Sequence, residues 1–136
     1  CFIDLDFFKT VNDIGGHAAG DALLREVAGL IQQGVRTEDL TSRIGGDEFA
    51  LLLRDCNADD ACRIVDSLSR AILALRFRWE GREFRVSASF GLAEIDASVD
   101  SSAAALKIAD DACYAAKREG RNQVVLRQPG SQGRLA

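Results

Sequence analysis

The hydrophobic positions along the chain change between a period of two, typical of strands, and a period of about 3.6, typical of helices. Short apolar runs predict strands at residues 1–6, 40–44, 49–53, 76–79, 83–86, 87–95 and 122–126. Helical spacing predicts helices at residues 7–14, 17–35, 57–75 and 103–119. This order predicts an α+β domain with a ferredoxin-like or palm-type βαββαβ core, in which helices pack around a mostly antiparallel central sheet.

Small residues indicate how two of these elements pack. The buried stripe of the last helix is predicted to consist of Leu106, Ala109, Ala112, Cys113 and Ala116. Gly91 lies inside the strand at 87–95, where a glycine indicates a bend or the close approach of another backbone. Gly120 follows the last helix and is expected to end it.

The strand at 1–6 carries acidic residues among apolar ones. Side chains alternate along a strand, so Phe2, Asp4 and Asp6 share one face. An acid inside an apolar strand is costly unless it is paired or bound to a metal, which makes Asp4 a candidate ligand. Asp6 comes at the end of the strand, where capping of the following helix is the simpler interpretation.

The segment Arg43–Phe49 joins two apolar runs through a glycine pair and predicts a β-hairpin. Glycine takes positive φ easily and lets another molecule approach the backbone. Asp47 and Glu48 follow at once and favour a metal or phosphate–metal site, while a solvated turn is the competing interpretation. If the first strand lies beside this hairpin, Asp4 joins the two acids, and a divalent cation is needed to offset their repulsion.

The first two helices carry polar side chains that suit a nucleotide. Lys9 lies in the first turn of a helix, where the helix dipole disfavours a positive charge. A nearby phosphate would explain the lysine. The turn before that helix exposes N–H groups, which also suit a phosphate. Asn12 and Asp21 can read a purine edge, one through its amide and the other by accepting N–H bonds. A surface lysine and a first-turn acid are the alternative interpretations of Lys9 and Asp21.

Composition excludes several classes of protein. The 136 residues are 47% hydrophobic and 28% charged, as in a folded domain. The net charge of −4 provides no basic surface for nucleic acid, although an acidic protein can bind a nucleotide through metal ions. The four cysteines lack metal-binding spacing and are expected to be reduced thiols. No apolar run is long enough to span a membrane.

Several motifs occur in the order and spacing of one known family. They are Asp4–Lys9, Asn12-Asp13, Gly16-His17, Gly20-Asp21, Arg43–Phe49 and Ala109–Asn122. With these motifs, residues 1–126 resemble the GGDEF family of diguanylate cyclases. The family's preceding helix, with its D-x-L-T-G-L-x-N-R type motif, is missing, so an N-terminally truncated domain is expected. The stretch 127–136 is predicted to be a disordered tail.

The resemblance implies that two GTP molecules, one on each protomer of a homodimer, condense into cyclic di-GMP with release of pyrophosphate. It implies that Asp4, Asp47, Glu48 and the Leu5 carbonyl bind Mg²⁺ or Mn²⁺. Asp47 also matches the position proposed as the base for the 3′-hydroxyl, and Glu48 the adjacent acid that supports metal or base. Lys9 matches a residue that stabilises charge in the transition state.

The substrate contacts are implied by the same resemblance. They are expected at Phe7, Phe8, Asn12, His17, Asp21, Gly45, Gly46, Lys117 and Arg121. Asn12 and Asp21 match the residues that read guanine, and the acid at 21 favours GTP over ATP. Lys117 and Arg121 match phosphate contacts. The two glycines let a nucleotide lie against the bare turn.

A second site is predicted from the linker before the hairpin. Arg36 stands nine residues before Gly45 and begins an R-x-x-D motif that ends at Asp39, as in the family's inhibitory site. Arginine can bind a phosphate or a guanine edge, and aspartate can accept guanine N–H bonds, so the pair is expected to bind cyclic di-GMP. Arg63 or Arg70 is expected to assist. A polar loop is the alternative interpretation.

Two other functions stay open from the sequence. A catalytically silent domain would bind cyclic di-GMP or GTP as a receptor, although the intact hairpin acids favour a cyclase. Another palm-type cyclase or polymerase would share the metal acids without the pair Asn12 and Asp21. For the cyclase, the expected location is the cytoplasm. An upstream sensory or regulatory domain is expected to control it. In some arrangements that domain tethers the protein to a membrane.

Overall fold

The structure, a computed structural model, describes residues 1–129. Its strands are β1 (Phe2–Asp6), β2 (Leu40–Arg43), β3 (Glu48–Leu52), β4 (Phe77–Trp79), β5 (Arg82–Phe84), β6 (Ser87–Ala93) and β7 (Val124–Arg127). Its helices are α1 (Phe8–Gly15), α2 (His17–Gly34), α3 (Ala58–Ala74) and α4 (Ser102–Arg118). The elements follow the predicted order. Of the predicted disordered tail, Arg127 belongs to β7, and residues from 130 onward lie outside the described residues.

The ends of α3 and α4 follow from local chemistry. Asn57 caps α3 by accepting the amide hydrogen of Asp60 at 2.8 Å, and Ser101 caps α4 by accepting that of Ala104 at 3.1 Å. Gly120 follows α4 with a φ of 120°, a conformation that glycine adopts at little cost. Within residues 1–129, no helix combines the length and the apolar character needed to cross a bilayer.

β1 lies at the centre of a five-stranded sheet with the order β2-β3-β1-β6-β7. It pairs antiparallel with β3 and β6, whereas β6 and β7 are parallel. The predicted placement of the first strand beside the hairpin is therefore confirmed, and Asp4 lies opposite Glu48. β4 and β5 form a separate two-stranded sheet, as the sequence predicted for a hairpin there.

The side chains of β1 alternate between the two faces of the sheet. Ile3 and Leu5 are buried in the larger core, which includes the apolar faces of α2 and α3. Phe2 points to the opposite face and packs against Ala109 and Cys113 of α4. The small side chains of α4 let this helix lie close to the sheet, so that its C-terminal end reaches the end of β1.

The packing of α4 confirms one prediction and corrects another. A Cβ atom on Gly91 would come within 1.9 Å of the carbonyl oxygen of Ala109, so the predicted close approach of another backbone is confirmed. Leu106, which helical spacing assigns to the buried stripe, is 39% exposed. It lines an apolar groove with Leu40 of the edge strand β2 and Leu52 of the neighbouring strand β3. Helical spacing cannot show how far the sheet extends beneath a helix. Among residues 1–129, no side chain fully covers Leu106, so it stays partly exposed.

Candidate active site

Three carboxylates meet where the β2–β3 hairpin lies against β1. Asp4, Asp47 and Glu48 each offer an oxygen atom, and these atoms lie within 4.8 Å of one another. Strand pairing brings the acids together, because Asp4 is the partner of Glu48 and the Leu5 amide donates to the Asp47 carbonyl oxygen at 3.1 Å. The predicted convergence of the three acids is therefore confirmed.

The turn that carries Asp47 and Glu48 is held by a neighbouring arginine. Arg43 donates from Nε to the Gly45 carbonyl oxygen at 3.1 Å and from Nη2 to that of Gly46 at 2.9 Å. Neither glycine has a positive φ, so left-handed backbone is not the reason for them. A Cβ atom on Gly45 would come within 2.4 Å of Glu48 Oε1, whereas one on Gly46 would meet open space. Glycine at 45 therefore lets Glu48 lie against the turn.

The carboxylate cluster is electrostatically unfavourable by itself. The pKa of Asp4 is raised to about 6 because the side chain is half-buried and lies close to Asp47 and Glu48, although Lys117 counteracts part of this effect. Hard carboxylate oxygens at this spacing fit a Mg²⁺ or Mn²⁺ ion. The Leu5 carbonyl oxygen accepts a hydrogen bond from Lys117 Nζ at 3.1 Å, which leaves a second lone pair for a cation.

Lys117, which was expected to contact phosphate, reaches the acids from the end of α4. Its Nζ atom lies 3.2 Å from Asp4 Oδ1 and 2.9 Å from Asp6 Oδ1. Partial burial lowers the pKa of Lys117, but the hydrogen bonds and charges of Asp6 and Asp4 outweigh burial and raise it. The ammonium group is thus a fixed positive charge beside the carboxylate cluster.

Asp6 has a different role from the helix cap that its position in the sequence suggests. Phe7, with a left-handed φ of 64°, occupies the N-cap position of α1, and no side-chain hydrogen bond caps that helix. The Asp6 side chain is completely buried. It accepts hydrogen bonds from Ser87 Oγ at 2.6 Å, Ser89 Oγ at 2.8 Å, Lys117 Nζ at 2.9 Å and the Asn122 amide at 3.1 Å. Burial opposes ionisation, but these donors together lower the pKa of Asp6.

The polar network around Asp6 was missed in the sequence, although a signal for it exists. Ser87 and Ser89 stand two residues apart in an otherwise apolar strand, so both point to the same face of the sheet. In the register of β1 and β6, Asp6 pairs with Ser87 and Asp4 with Ser89. Polar residues at that spacing indicate a buried polar partner on a neighbouring strand.

The residues predicted to read guanine lie on α1 and α2. A Cβ atom on Gly20 would come within 1.9 Å of the Asn12 amide oxygen and 3.1 Å of the Phe8 ring. Glycine at 20 therefore makes room for the Asn12 amide one residue before Asp21. Asp21 is exposed and lines a cavity of about 390 Å³ together with Arg43 of the hairpin. The structure brings Asn12 to the neighbourhood of Asp21, on adjoining surfaces of the two helices.

Other predicted substrate contacts lie on the exposed surface around the first two helices. His17 is the exposed first residue of α2. Lys9 forms an exposed ion pair with Asp13 at 2.7 Å rather than a contact with the acid cluster. The guanidinium of Arg121 lies 5.5 Å from the centre of the Phe7 ring, a cation–π contact that links the turn after α4 to the start of α1.

Arg36 and Asp39 are bound to each other. The Asp39 carboxylate accepts hydrogen bonds from Arg36 Nε at 3.0 Å, Arg36 Nη2 at 2.8 Å and the Arg36 and Arg54 amides at 2.9 and 3.1 Å. The hydrogen bonds from Arg36 lower the pKa of Asp39 to about 2. Because the Asp39 side chain is fully buried, the expectation that it accepts guanine N–H bonds does not fit this arrangement. Its carboxylate instead holds the half-exposed guanidinium of Arg36.

The two arginines expected to assist this site both lie on α3. Arg63 is paired with Asp60, and Arg70 with Asp66. Burial raises the pKa of the Cys56 thiol, while the charges of Arg36 and Arg63 both lower it. Arg36 and Arg63 therefore act on the same thiol, which favours Arg63 over Arg70 as the residue that assists Arg36.

Comparison with known proteins gives a consistent result. A family model described as "Diguanylate cyclase, GGDEF domain" matches residues 1–123. The chain is 50% identical over 128 residues to the probable diguanylate cyclase DgcE of Escherichia coli (strain K12), an alignment that covers 94% of this chain and 12% of that protein. The chain spans well under half the length of the curated relatives it matches.

Solved structures resemble the fold closely. The GGDEF domain of TpbB (YfiN) from Pseudomonas aeruginosa is 42% identical, with a TM-score of 0.86 over 92% of this chain and 78% of that chain. The GGDEF domain of DgcB from Caulobacter crescentus, solved in complex with c-di-GMP, is 29% identical, with a TM-score of 0.87 over 92% of this chain and 74% of that chain. The residues matched by the family model, 1–123, include β1 and the β2–β3 hairpin, which carry the carboxylate cluster.

Proposed function

The chain belongs to the GGDEF domain family, and from this membership we propose that it is a diguanylate cyclase that condenses two GTP molecules into cyclic di-GMP and pyrophosphate. The observation that carries the proposal is the cluster of Asp4, Asp47 and Glu48, whose oxygen atoms lie within 4.8 Å of one another. Clustered acids repel and contribute nothing to the stability of a turn, so the cluster favours a catalytic role.

The same acids are proposed to bind the metal. Asp4, Asp47 and Glu48 would hold a Mg²⁺ or Mn²⁺ ion, with the Leu5 carbonyl as a further ligand. When bound, the ion would offset the negative charge on the α-phosphate and on the leaving pyrophosphate. Partial burial of the cluster strengthens its attraction for a cation, since charges interact more strongly where water is excluded.

The chain's own side chains supply the remaining chemistry. Asp47 is proposed to accept the proton of the 3′-hydroxyl as that oxygen attacks the α-phosphate of the other GTP, with Glu48 supporting the metal or the base. Lys117 and Arg121 are proposed to bind the phosphate chain. Lys9 is proposed to stabilise charge in the transition state, because its exposed ion pair is weak and easily exchanged for a phosphate.

Substrate recognition is proposed for the surface of α1 and α2. Asn12 and Asp21 would bind the guanine edge, and a carboxylate there favours GTP over ATP because it accepts the N–H groups of guanine. His17, Phe7 and Phe8 are proposed to contact the same nucleotide. The open space at Gly46 in the hairpin turn would allow the phosphates to lie close to the acids.

Each domain is proposed to hold one GTP, so the reaction requires two domains that face each other in a homodimer. The base on one chain then meets the α-phosphate held by the other. A sensory or regulatory domain outside these residues is proposed to control how the two domains approach in the cytoplasm. The much greater length of the curated relatives is compatible with such a domain.

The test of the function is product formation by the purified protein with its natural flanking domains. In the presence of Mg²⁺ or Mn²⁺, it should convert GTP to cyclic di-GMP and pyrophosphate, as measured by liquid chromatography and mass spectrometry, and should leave ATP unchanged. Binding of GTP or cyclic di-GMP without any turnover would overturn the cyclase and support a receptor.

Product inhibition is proposed at Arg36. Its side chain is 37% exposed, and its guanidinium is held by the Asp39 carboxylate and by the Arg54 carbonyl oxygen at 2.6 Å. A guanidinium that is already oriented loses little conformational freedom when it binds a phosphate or a guanine edge. Asp39 contributes by holding Arg36, and Arg63 is proposed as a second contact.

Arg36→Ala is expected to weaken the binding of cyclic di-GMP by about tenfold or more, equivalent to about 1.4 kcal/mol, because it removes the oriented guanidinium. Isothermal titration calorimetry measures the effect, and product inhibition should decline with it. The matched control is Arg78→Ala, which removes an arginine on β4 that is 77% exposed and should leave the affinity unchanged. If Arg36→Ala binds cyclic di-GMP as tightly as the wild type, this product site is wrong.

A further inference from the structure

We propose that Asp6 is the positioning residue for the phosphate-binding side of the site, where its buried carboxylate holds both Lys117 and the turn that carries Arg121. The inference rests on the proposed function, since that function assigns Lys117 and Arg121 to the phosphates. Asp6 itself is completely buried and does not contact the substrate. It acts through the two cationic residues.

The two oxygen atoms of Asp6 are divided between these two tasks. Oδ1 accepts hydrogen bonds from Lys117 Nζ at 2.9 Å and Ser89 Oγ at 2.8 Å. Oδ2 accepts them from the Asn122 amide at 3.1 Å and Ser87 Oγ at 2.6 Å. One carboxylate therefore joins the end of β1, the neighbouring strand β6, the last turn of α4 and the backbone that follows it.

The turn after α4 needs such support. Arg121 and Asn122 have φ values of 65° and 52°, and two successive non-glycine residues in the left-handed region are uncommon. Backbone of this kind persists only where its surroundings hold it in place. The Asn122 amide donates to Asp6, and the Arg121 amide donates to the Ala116 carbonyl oxygen at 2.9 Å. Asp6 supplies the one side-chain acceptor among these contacts.

Lys117 needs an anchor for a different reason. A lysine side chain has many rotamers, and fixing one of them costs conformational entropy. Lys117 touches both Asp4 and Asp6, but Asp4 is a proposed metal ligand and its charge is shared once a cation is bound. Asp6 lies deeper and stays with the lysine. It therefore keeps the ammonium group beside the phosphates, while Asp4 is left for the metal.

The decisive measurement is the affinity of Asp6→Asn for inorganic pyrophosphate in Mg²⁺ buffer, by calorimetry. Loss of a negative charge would by itself strengthen the binding of an anion. Loss of positioning has the opposite sign, and we expect binding weakened by about tenfold or more, since two cationic contacts are disordered together. Equal or tighter binding by folded Asp6→Asn overturns the proposal.

The matched control is Asp111→Asn. It makes the same chemical change on α4, where it breaks the exposed pair of Asp111 with Lys107, 3.2 Å apart. Its pyrophosphate affinity should equal that of the wild type, and a comparable loss there would overturn the assignment to Asp6. Because no turnover is involved, this binding measurement is independent of the cyclase assay. Pyrophosphate binding can be measured even if the protein makes no cyclic di-GMP. If instead the proposal for Asp6 fails, the cyclase proposal still stands.

Hydrogen exchange separates positioning from a general loosening of the sheet. In Asp6→Asn, exchange should accelerate at the amides of Arg121 and Asn122 and stay slow at Phe49 and Leu51 of β3. Acceleration throughout β3 would assign Asp6 a structural role instead. If the variant does not fold, hydrogen exchange of the wild-type protein tests the proposal. The Asn122 amide of the wild type is expected to exchange slowly, and fast exchange there would contradict the proposal.

Discussion

Replacing Asp47 with alanine will lower the rate of cyclic di-GMP synthesis by about a thousandfold or more, because one substitution removes both a proposed metal ligand and the proposed base. The free energy of unfolding should not decrease. Asp47 lies in a partly exposed turn, and its loss relieves repulsion with Asp4 and Glu48. Initial rates measured at saturating GTP, together with unfolding in urea, separate the loss of chemistry from any loss of structure.

The control for Asp47→Ala is Asp66→Ala. It removes an exposed acid of α3 that pairs with Arg70, and it should retain the full rate of synthesis. If the rate of Asp47→Ala stays within about tenfold of the wild-type rate, the decrease is far smaller than the loss of a general base produces. That outcome would remove Asp47 from the catalytic role and leave Glu48 as the remaining acid of the hairpin to examine.

Gly91→Ala is expected to lower the free energy of unfolding by about 3 kcal/mol, at the upper end of the usual cost of overpacking a core. The new Cβ atom would lie 1.9 Å from the Ala109 carbonyl oxygen and 2.3 Å from the Cys113 nitrogen. These are backbone atoms, so the whole of α4 has to move. Because α4 carries Lys117, the same movement should withdraw the ammonium group from the acids and reduce activity. Urea unfolding followed by circular dichroism measures the stability.

Gly29→Ala is the matched control for Gly91→Ala. Gly29 lies within α2, and a Cβ atom there would meet nothing within 4 Å. Alanine should therefore raise the free energy of unfolding by about 0.5–1 kcal/mol, because glycine is the more flexible residue in the unfolded chain. An unfolding midpoint for Gly91→Ala equal to that of the wild type would show that α4 can shift away from the sheet without cost.

Local elements and the central pairing of this domain were accessible from the sequence. Hydrophobic periodicity predicted the helices and strands because a helix or a strand buries one face whatever it packs against. The segment Arg43–Phe49 indicated a hairpin because a glycine pair there joins two apolar runs. The partnership of Asp4 with the hairpin acids followed once the first strand was placed beside that hairpin. The elements and the hairpin use information that lies within a short stretch of chain, whereas the pairing of Asp4 with the hairpin rests on the order of the elements along the whole chain.

Contacts between distant residues were less accessible. Asp6 was interpreted as a helix cap, yet it is held by donors 81 to 116 residues away along the chain. Asp39 was expected to face a ligand, and the structure encloses it beneath Arg36. A carboxylate at the end of a strand or in a linker looks the same in the sequence whether it faces solvent or a buried donor. The choice depends on which elements pack over it.

The sequence by itself determined the family, the order of the elements and the three acids of the cluster, because motif spacing and periodicity are properties of the chain alone. Only the tertiary structure decided which charged groups are free to meet a ligand and which hold others in place. Lys117 stands beside Asp4 because small residues on α4 let the helix approach the sheet, and Asp6 is buried because four donors converge on it. Burial and pairing arise from elements far apart in the chain, so no local pattern contains them.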